Sequence, residues 1–169
     1  EQKLDIALQI ARALEYAHGR GVIHRDIKPA NIRVLDNGQA KLVDFGIAKT
    51  TAEELTRLTQ PGTVLGTVAY MSPEQLAGAA LKPSADVYSF GVVLFEMLTG
   101  RRPYEGSNLA SLVYKIANDE PARFGPQDVF LPESLREFVL RCMARHARDR
   151  YPSFGPVVAR LQELIDELR

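Results

Sequence analysis

Cysteine is nearly lacking from this chain: Cys142 is the one thiol in 169 residues. No intrachain disulfide can form, which points to a reducing compartment, and the expected location is cytoplasmic. Cys142 sits in a helical pattern with Leu140 and Met143, where a thiol serves as a small buried hydrophobe and not as a nucleophile. The three histidines, His18, His24 and His146, are too scattered to build a metal cluster around it. Neither sign of charge is in excess, since Lys plus Arg and Asp plus Glu each number 21. Without a basic surplus, or basic stripes interleaved with aromatics, no nucleic-acid partner is expected. Long apolar runs are lacking too. The most apolar stretch, Val87 to Leu98, is interrupted by Glu96 and is too short to span a bilayer, so no membrane segment is expected. The opening Glu-Gln-Lys leads straight into a helical pattern without a signal-peptide signature.

What is present is the balance of an ordinary globular protein, 46% hydrophobic and 25% charged, with enough length for one substantial core. Leu4, Leu8 and Ala11, with Ala7, Ile10 and Leu14, recur at helical spacing, and Gly19 and Gly21 mark a stop after His18. Two short apolar runs, Ile32 to Leu35 and Ala40 to Val43, are joined by Asp36-Asn37-Gly38, and Asn-Gly there is a strong hairpin signal. Lys49 to Thr67 has no clean periodicity and reads as a long functional loop. Ala85 to Leu98 is apolar on nearly every side, with Ser84 as the expected N-cap and Gly100 as the stop, so this helix belongs at the centre of the fold. Further helices fit Asn108 to Asn118, Pro132 to Ala144 and Pro156 to Leu168. The expected fold class is mainly α with a small β-hairpin.

The most informative residues form His24-Arg25-Asp26-Ile27-Lys28-Pro29-Ala30-Asn31, followed by Asp44-Phe45-Gly46. A base, a cation able to offset phosphate charge and a hard oxygen ligand share one short loop, and a second oxygen ligand follows. Any one of these alone would read as a solvated loop charge; four at this spacing point to chemistry. With GTVAYMSPEQ, SADVYSFGVVLFEMLTG and RDRYPS further on, the chain resembles the C-terminal lobe of a bacterial-type Ser/Thr protein kinase along its whole length.

The resemblance implies a protein-kinase-like fold limited to the C-lobe over residues 1–169: a catalytic loop at 24–31, an activation segment at 44–74 and a helical subdomain at 84–169. It implies transfer of the γ-phosphoryl of ATP to a Ser or Thr hydroxyl of a protein substrate, with Asp26 as base and Lys28 offsetting charge on the transferring group. Asn31 and Asp44 would hold Mg²⁺, and Lys28, Asn31, Arg33 and Asp44 would face the nucleotide. His24 would pack beneath Phe45 and align the turn ending at Gly46, and is not taken as a base. Thr67 would bond Asp26 and Lys28, Asp86 would hold the catalytic-loop backbone, and Glu74 would pair with Arg150. Arg25 would meet a phosphate on the activation segment, with Thr59 and Thr63 as the regulatory phosphorylation sites; Thr50, Thr51 and Thr56 read as unmodified. Ile47 suits Thr over Ser as acceptor. Ala30 stands where basic-directed kinases carry Glu, although Glu96 occupies a position that grips substrate Arg in some of them, so a strong demand for basic peptides is not expected.

The family's Gly-rich loop, strand Lys, helix Glu and hinge would lie upstream of Glu1, and no G-x-G-x-x-G occurs within the chain. The resemblance therefore implies a partner in an N-terminal lobe missing from these residues. Arg33 departs from the pattern, which places Leu, Met or Val there beneath the adenine. The alternative from another functional class is a kinase-like lobe that acts as a non-catalytic protein-interaction module.

Overall fold

The computed structural model describes residues 2–45 and 64–169. In chain order the elements are α1 (Gln2–His18), β1 (Ile32–Val34), β2 (Ala40–Leu42), α2 (Val64–Val68), α3 (Pro73–Leu76), α4 (Pro83–Thr99), α5 (Leu109–Asn118), α6 (Glu133–Cys142) and α7 (Phe154–Glu167). Short 3₁₀ turns cover Pro29–Asn31, Pro126–Asp128 and Ala147–Asp149. The mainly helical class with one hairpin is what the sequence periodicities imply.

α4 organises the rest. Every side chain from Ser84 to Phe95 is buried, so this helix has no solvent face, and α1, α6 and α7 pack around it. Gly91 permits the closest approach: a Cβ there would lie 2.7 Å from Cys142 Cβ and 2.8 Å from Met143 Cγ. Cys142 is itself fully buried, and burial raises its thiol far above the ordinary range, in keeping with a packing role. α1 buries Leu4, Ala7, Leu8, Ile10, Ala11, Leu14 and Ala17 along one stripe, which faces α4 and α7. Gly100, with φ 73°, ends α4 and donates its N–H to the Glu96 carbonyl at 2.8 Å.

The hairpin pairs Ile32 with Leu42, Arg33 with Lys41 and Val34 with Ala40. Gly38 takes φ 79°, a value costly for residues with a Cβ. Gln9 of α1 fastens the turn from below, donating Nε2 to the Gly38 carbonyl at 3.1 Å and accepting the Ala40 N–H at 2.9 Å.

Four points of the sequence reading need correction. Pro83, not Ser84, opens α4, with Lys82 at the N-cap. Proline at the first helical position already has the right φ and lacks an N–H to cap, which carries the helix one residue further back and places Ser84 inside it. The stretch 49–67 is not all loop, because α2 occupies Val64–Val68; residues 46–63 lie outside the described residues. α3 was not anticipated, although Ser72 and Gln75 form a capping box at its start. α7 also begins earlier than Pro156, at the fully buried Phe154.

Arg150 joins three parts of the fold. The residue is 2% exposed, and all five guanidinium N–H donors are used. Nη1 and Nη2 reach the two Glu74 carboxylate oxygens at 2.6 and 2.9 Å. Nη1 also donates to the Ser84 carbonyl at 3.0 Å, Nη2 to that of Arg145 at 2.8 Å and Nε to that of Ala144 at 2.6 Å. Burial raises the Glu74 pKa, but the hydrogen bonds and charge of Arg150 outweigh this and hold it below the usual 4.5. Replacing Arg150 by Met should therefore cost about 3–5 kcal/mol in denaturant unfolding, by leaving Glu74 unpaired. Because the folded Glu74 pKa is depressed, its contribution is fully present above the unfolded value of 4.5 and is lost as pH falls through the folded one. In Arg150→Met that acid-side loss should be smaller than in the parent protein.

Candidate active site

Loop 24–31 is held from below by one carboxylate. Asp86, in the first turn of α4 and 1% exposed, accepts the His24 N–H at Oδ2 (2.7 Å), the Arg25 N–H at Oδ1 (2.9 Å) and His18 Nε2 at 2.7 Å. The helix N-terminus favours the negative charge, and three donors satisfy it. These bonds hold Arg25 at φ 69°, a left-handed backbone unusual for a residue with a Cβ.

His24 is fully buried, and its ring has partners on both nitrogens. Nδ1 accepts the Asp26 N–H at 3.2 Å, so the proton resides on Nε2, which donates to the Val43 carbonyl at 3.1 Å. Phe45 covers the ring at 4.4 Å between centroids. A histidine locked in this tautomer within the core supports the turn above it and is not placed to take up protons from a substrate.

Asp26, Lys28, Asn31 and Thr67 converge. Asn31, 5% exposed, turns its Nδ2 to the Asp26 carbonyl at 2.8 Å and to Asp26 Oδ2 at 3.2 Å. Lys28 Nζ lies 3.4 Å from Asp26 Oδ1 and donates to Thr67 Oγ1 at 3.1 Å. Asp44 is brought to the same region through the backbone: the Val43 N–H bonds the Asn31 carbonyl at 2.9 Å, and the Val43 carbonyl is held by His24. Asp44 is exposed, with φ 55°. Two non-glycine residues in the left-handed region thus flank the convergent polar groups, each at about 1–3 kcal/mol of backbone strain.

The donor set suits a hard cation. Asn31 commits its N–H₂ end to Asp26, which leaves its amide oxygen as the end able to meet a metal. Together with the Asp44 carboxylate it could offer two oxygen ligands from two elements, the small protein share that Mg²⁺ takes when phosphates and water complete its octahedron. Among the described residues no group of three or more His, Cys, Asp or Glu could hold a metal by itself.

Other expected residues fall elsewhere. Arg33 points from the exposed face of the hairpin, in register with Lys41. The buried Arg150 and the partly buried Glu74 form the pair that secures α3. Arg25 is exposed, while Gly46, Ile47, Thr50, Thr51, Thr56, Thr59 and Thr63 lie outside the described residues. Glu96 is already engaged: Tyr70 donates its hydroxyl to one carboxylate oxygen, and Arg102 Nε lies 3.5 Å from the other. Burial first, then the bond to Glu96, pushes the Tyr70 hydroxyl up to about 12, so it stays a donor at neutral pH.

Two residues escaped the sequence reading. His18 reaches Asp86 across 68 positions, and Gln75 donates Nε2 to the Arg25 carbonyl at 2.9 Å across 50. No local periodicity encodes either bond. For Gln75 the Ser-Pro-Glu-Gln capping signature was the available signal.

Comparison with known proteins gives the family of the chain. A protein kinase domain profile matches residues 1–159. A probable serine/threonine-protein kinase of Clostridium acetobutylicum is 39% identical over 165 residues, covering 98% of this chain and 24% of that protein. Serine/threonine-protein kinase PknA of Mycobacterium tuberculosis is 40% identical over 153 residues, covering 90% and 34%. A probable serine/threonine-protein kinase of Streptomyces coelicolor is 35% identical over 166 residues, covering 98% and 25%. The chain thus spans about a quarter to a third of the length of these curated relatives. With a profile match over nearly all of its length and relatives of one kind, this chain belongs to the protein kinase domain family.

Proposed function

We propose that this chain supplies the catalytic half of a serine/threonine protein kinase, moving the γ-phosphoryl of ATP onto a Ser or Thr hydroxyl. The observation that carries the reading is the convergence of Asp26, Lys28, Asn31 and Thr67, with Asp44 delivered beside them by Val43. Asp26 orients and then accepts the hydroxyl proton. Lys28, fixed between Asp26 and Thr67, offsets negative charge that develops on the transferring group. Asn31 and Asp44 would hold Mg²⁺, which supplies neutralisation of the phosphate oxygens when bound. Phosphoryl transfer asks mainly for position and electrostatics, and a loop pinned by Asp86 provides both.

The nucleotide would lie over the hairpin. Leu35 remains 39% exposed there, and the relatives are three to four times longer than their matched part. These facts support an additional lobe as the second wall of the nucleotide cleft. Arg33 and Lys41 stand opposite each other on this face, so closing it would desolvate two like charges. With Glu96 engaged by Tyr70 and Arg102, the reading does not require a basic residue in the acceptor peptide.

A non-catalytic interaction module is the second reading, favoured by the adjacent Val129 and Phe130, which are 73% and 70% exposed. Asp26→Asn separates the two. In the full-length gene product it should lower phosphate transfer by about 10²–10⁴-fold in a radiolabelled-ATP assay while leaving partner binding unchanged. Wild-type transfer in Asp26→Asn would refute the kinase reading. Arg33→Leu should tighten ATP binding several-fold by calorimetry, and equal affinities would remove Arg33 from the account of nucleotide binding. Mass spectrometry of active protein should find phosphate on Thr59 or Thr63, and changing both to Ala should reduce activity. Full activity of that double variant would end their regulatory assignment.

A further inference from the structure

The residue before Asp26 is gripped on both sides of its backbone. The Arg25 N–H goes to Asp86 Oδ1 at 2.9 Å, and its carbonyl accepts Gln75 Nε2 at 2.9 Å. Gln75 is 9% exposed, and its amide is used at both ends, because Oε1 accepts the Ser72 N–H at 3.1 Å. Its own backbone N–H donates to Ser72 Oγ at 3.3 Å, which completes the capping box of α3.

We infer that Gln75 is a positioning residue for Asp26, an assignment that rests on the kinase reading above. Arg25 adopts φ 69°, a conformation the chain does not favour for a residue with a Cβ, so the peptide leading into Asp26 needs restraint from outside the loop. Asp86 restrains the N–H side and Gln75 the carbonyl side. Turning that carbonyl rotates the peptide plane that launches Asp26 and swings its carboxylate away from Lys28 and Asn31. Only an amide side chain satisfies the position: Ser72 offers a donor and Arg25 an acceptor, so one end must accept while the other donates.

The same short segment touches the loop a second time. Thr67 on α2 accepts Lys28 Nζ at 3.1 Å, two residues after Asp26, while Gln75 on α3 holds the residue before it. Residues 64–76 therefore clasp Asp26 from both flanks, one tie through a side chain and one through the backbone. Through this clasp, which holds the Arg25 backbone and the Lys28 side chain, the placement of 64–76 sets the geometry of the base directly.

The test compares Gln75→Glu, Gln75→Met and Ser72→Ala in the full-length gene product. Gln75→Glu keeps the acceptor for Ser72 but turns an oxygen toward the Arg25 carbonyl, and Gln75→Met removes both bonds at similar size. Both should lower kcat by about ten- to a hundredfold, with KM for ATP and for a protein substrate held within about twofold. Both should also speed amide hydrogen exchange in residues 24–28. Ser72→Ala weakens the cap but leaves the link to Arg25, so it should lower the melting temperature while keeping kcat and exchange near wild type. Wild-type kcat and exchange in both Gln75 variants would overturn the assignment, as would an equal loss of kcat in Ser72→Ala. Should the unaltered protein transfer no phosphate, the kinase reading fails on its own, and the exchange comparison decides whether Gln75 positions Asp26.

Discussion

The buried carboxylate of Asp86 is the fixed point on which the proposed site depends. It projects from the first turn of the most deeply buried helix and accepts three donors, two of them consecutive backbone N–H groups of loop 24–31. A loop cannot hold a strained backbone by itself. Here the strain at Arg25 is carried by bonds to an element that cannot move without disturbing the core. His18, at the end of α1, gives the third bond and so ties two central helices and the loop to a single anion.

Around that point, order passes outward through side chains with several partners each. His24 joins Asp26 to Val43, and Val43 returns to Asn31, so the loop and the Asp44 turn close on one another. Arg150 plays the same part further out, joining Glu74 of α3 to Ser84 of α4 and to the end of α6. Its role is in the architecture, because every guanidinium donor is spent within the fold. Segment 64–76 is secured by Arg150 at its far end, by the Ser89 hydroxyl on the Tyr70 carbonyl in its middle, and by contacts to the loop on either side of Asp26. In such an arrangement the contacts of this segment to the loop, and not the stability of α3 alone, bear on the proposed chemistry at Asp26.

Glu96 finds its partners within the fold. The resemblance suggested a carboxylate able to meet a basic substrate side chain. In the fold, Tyr70 and Arg102 occupy it, with the Arg102 guanidinium 5.8 Å from the Tyr70 ring centre. Nothing near Glu96 in sequence announced this, since Tyr70 arrives from another segment.

By itself the sequence determined the helical class, the hairpin, the central place of α4 and the residue types of the candidate site. Each of these rests on signals local along the chain: 3.6-residue periodicity, Asn-Gly between apolar runs, an all-apolar stretch, and a dense polar loop. It misplaced the start of α4 because Ser84 and Pro83 both mark helix ends, and the missing N–H of proline decided between them. Only the tertiary structure decided which polar groups meet. The clamp of Gln9 on the hairpin, the bond from His18 to Asp86 and that from Gln75 to Arg25 join residues 29 to 68 positions apart. A hydrogen bond of that kind leaves no periodic trace, because its geometry exists only after the apolar faces have packed and brought the partners within reach.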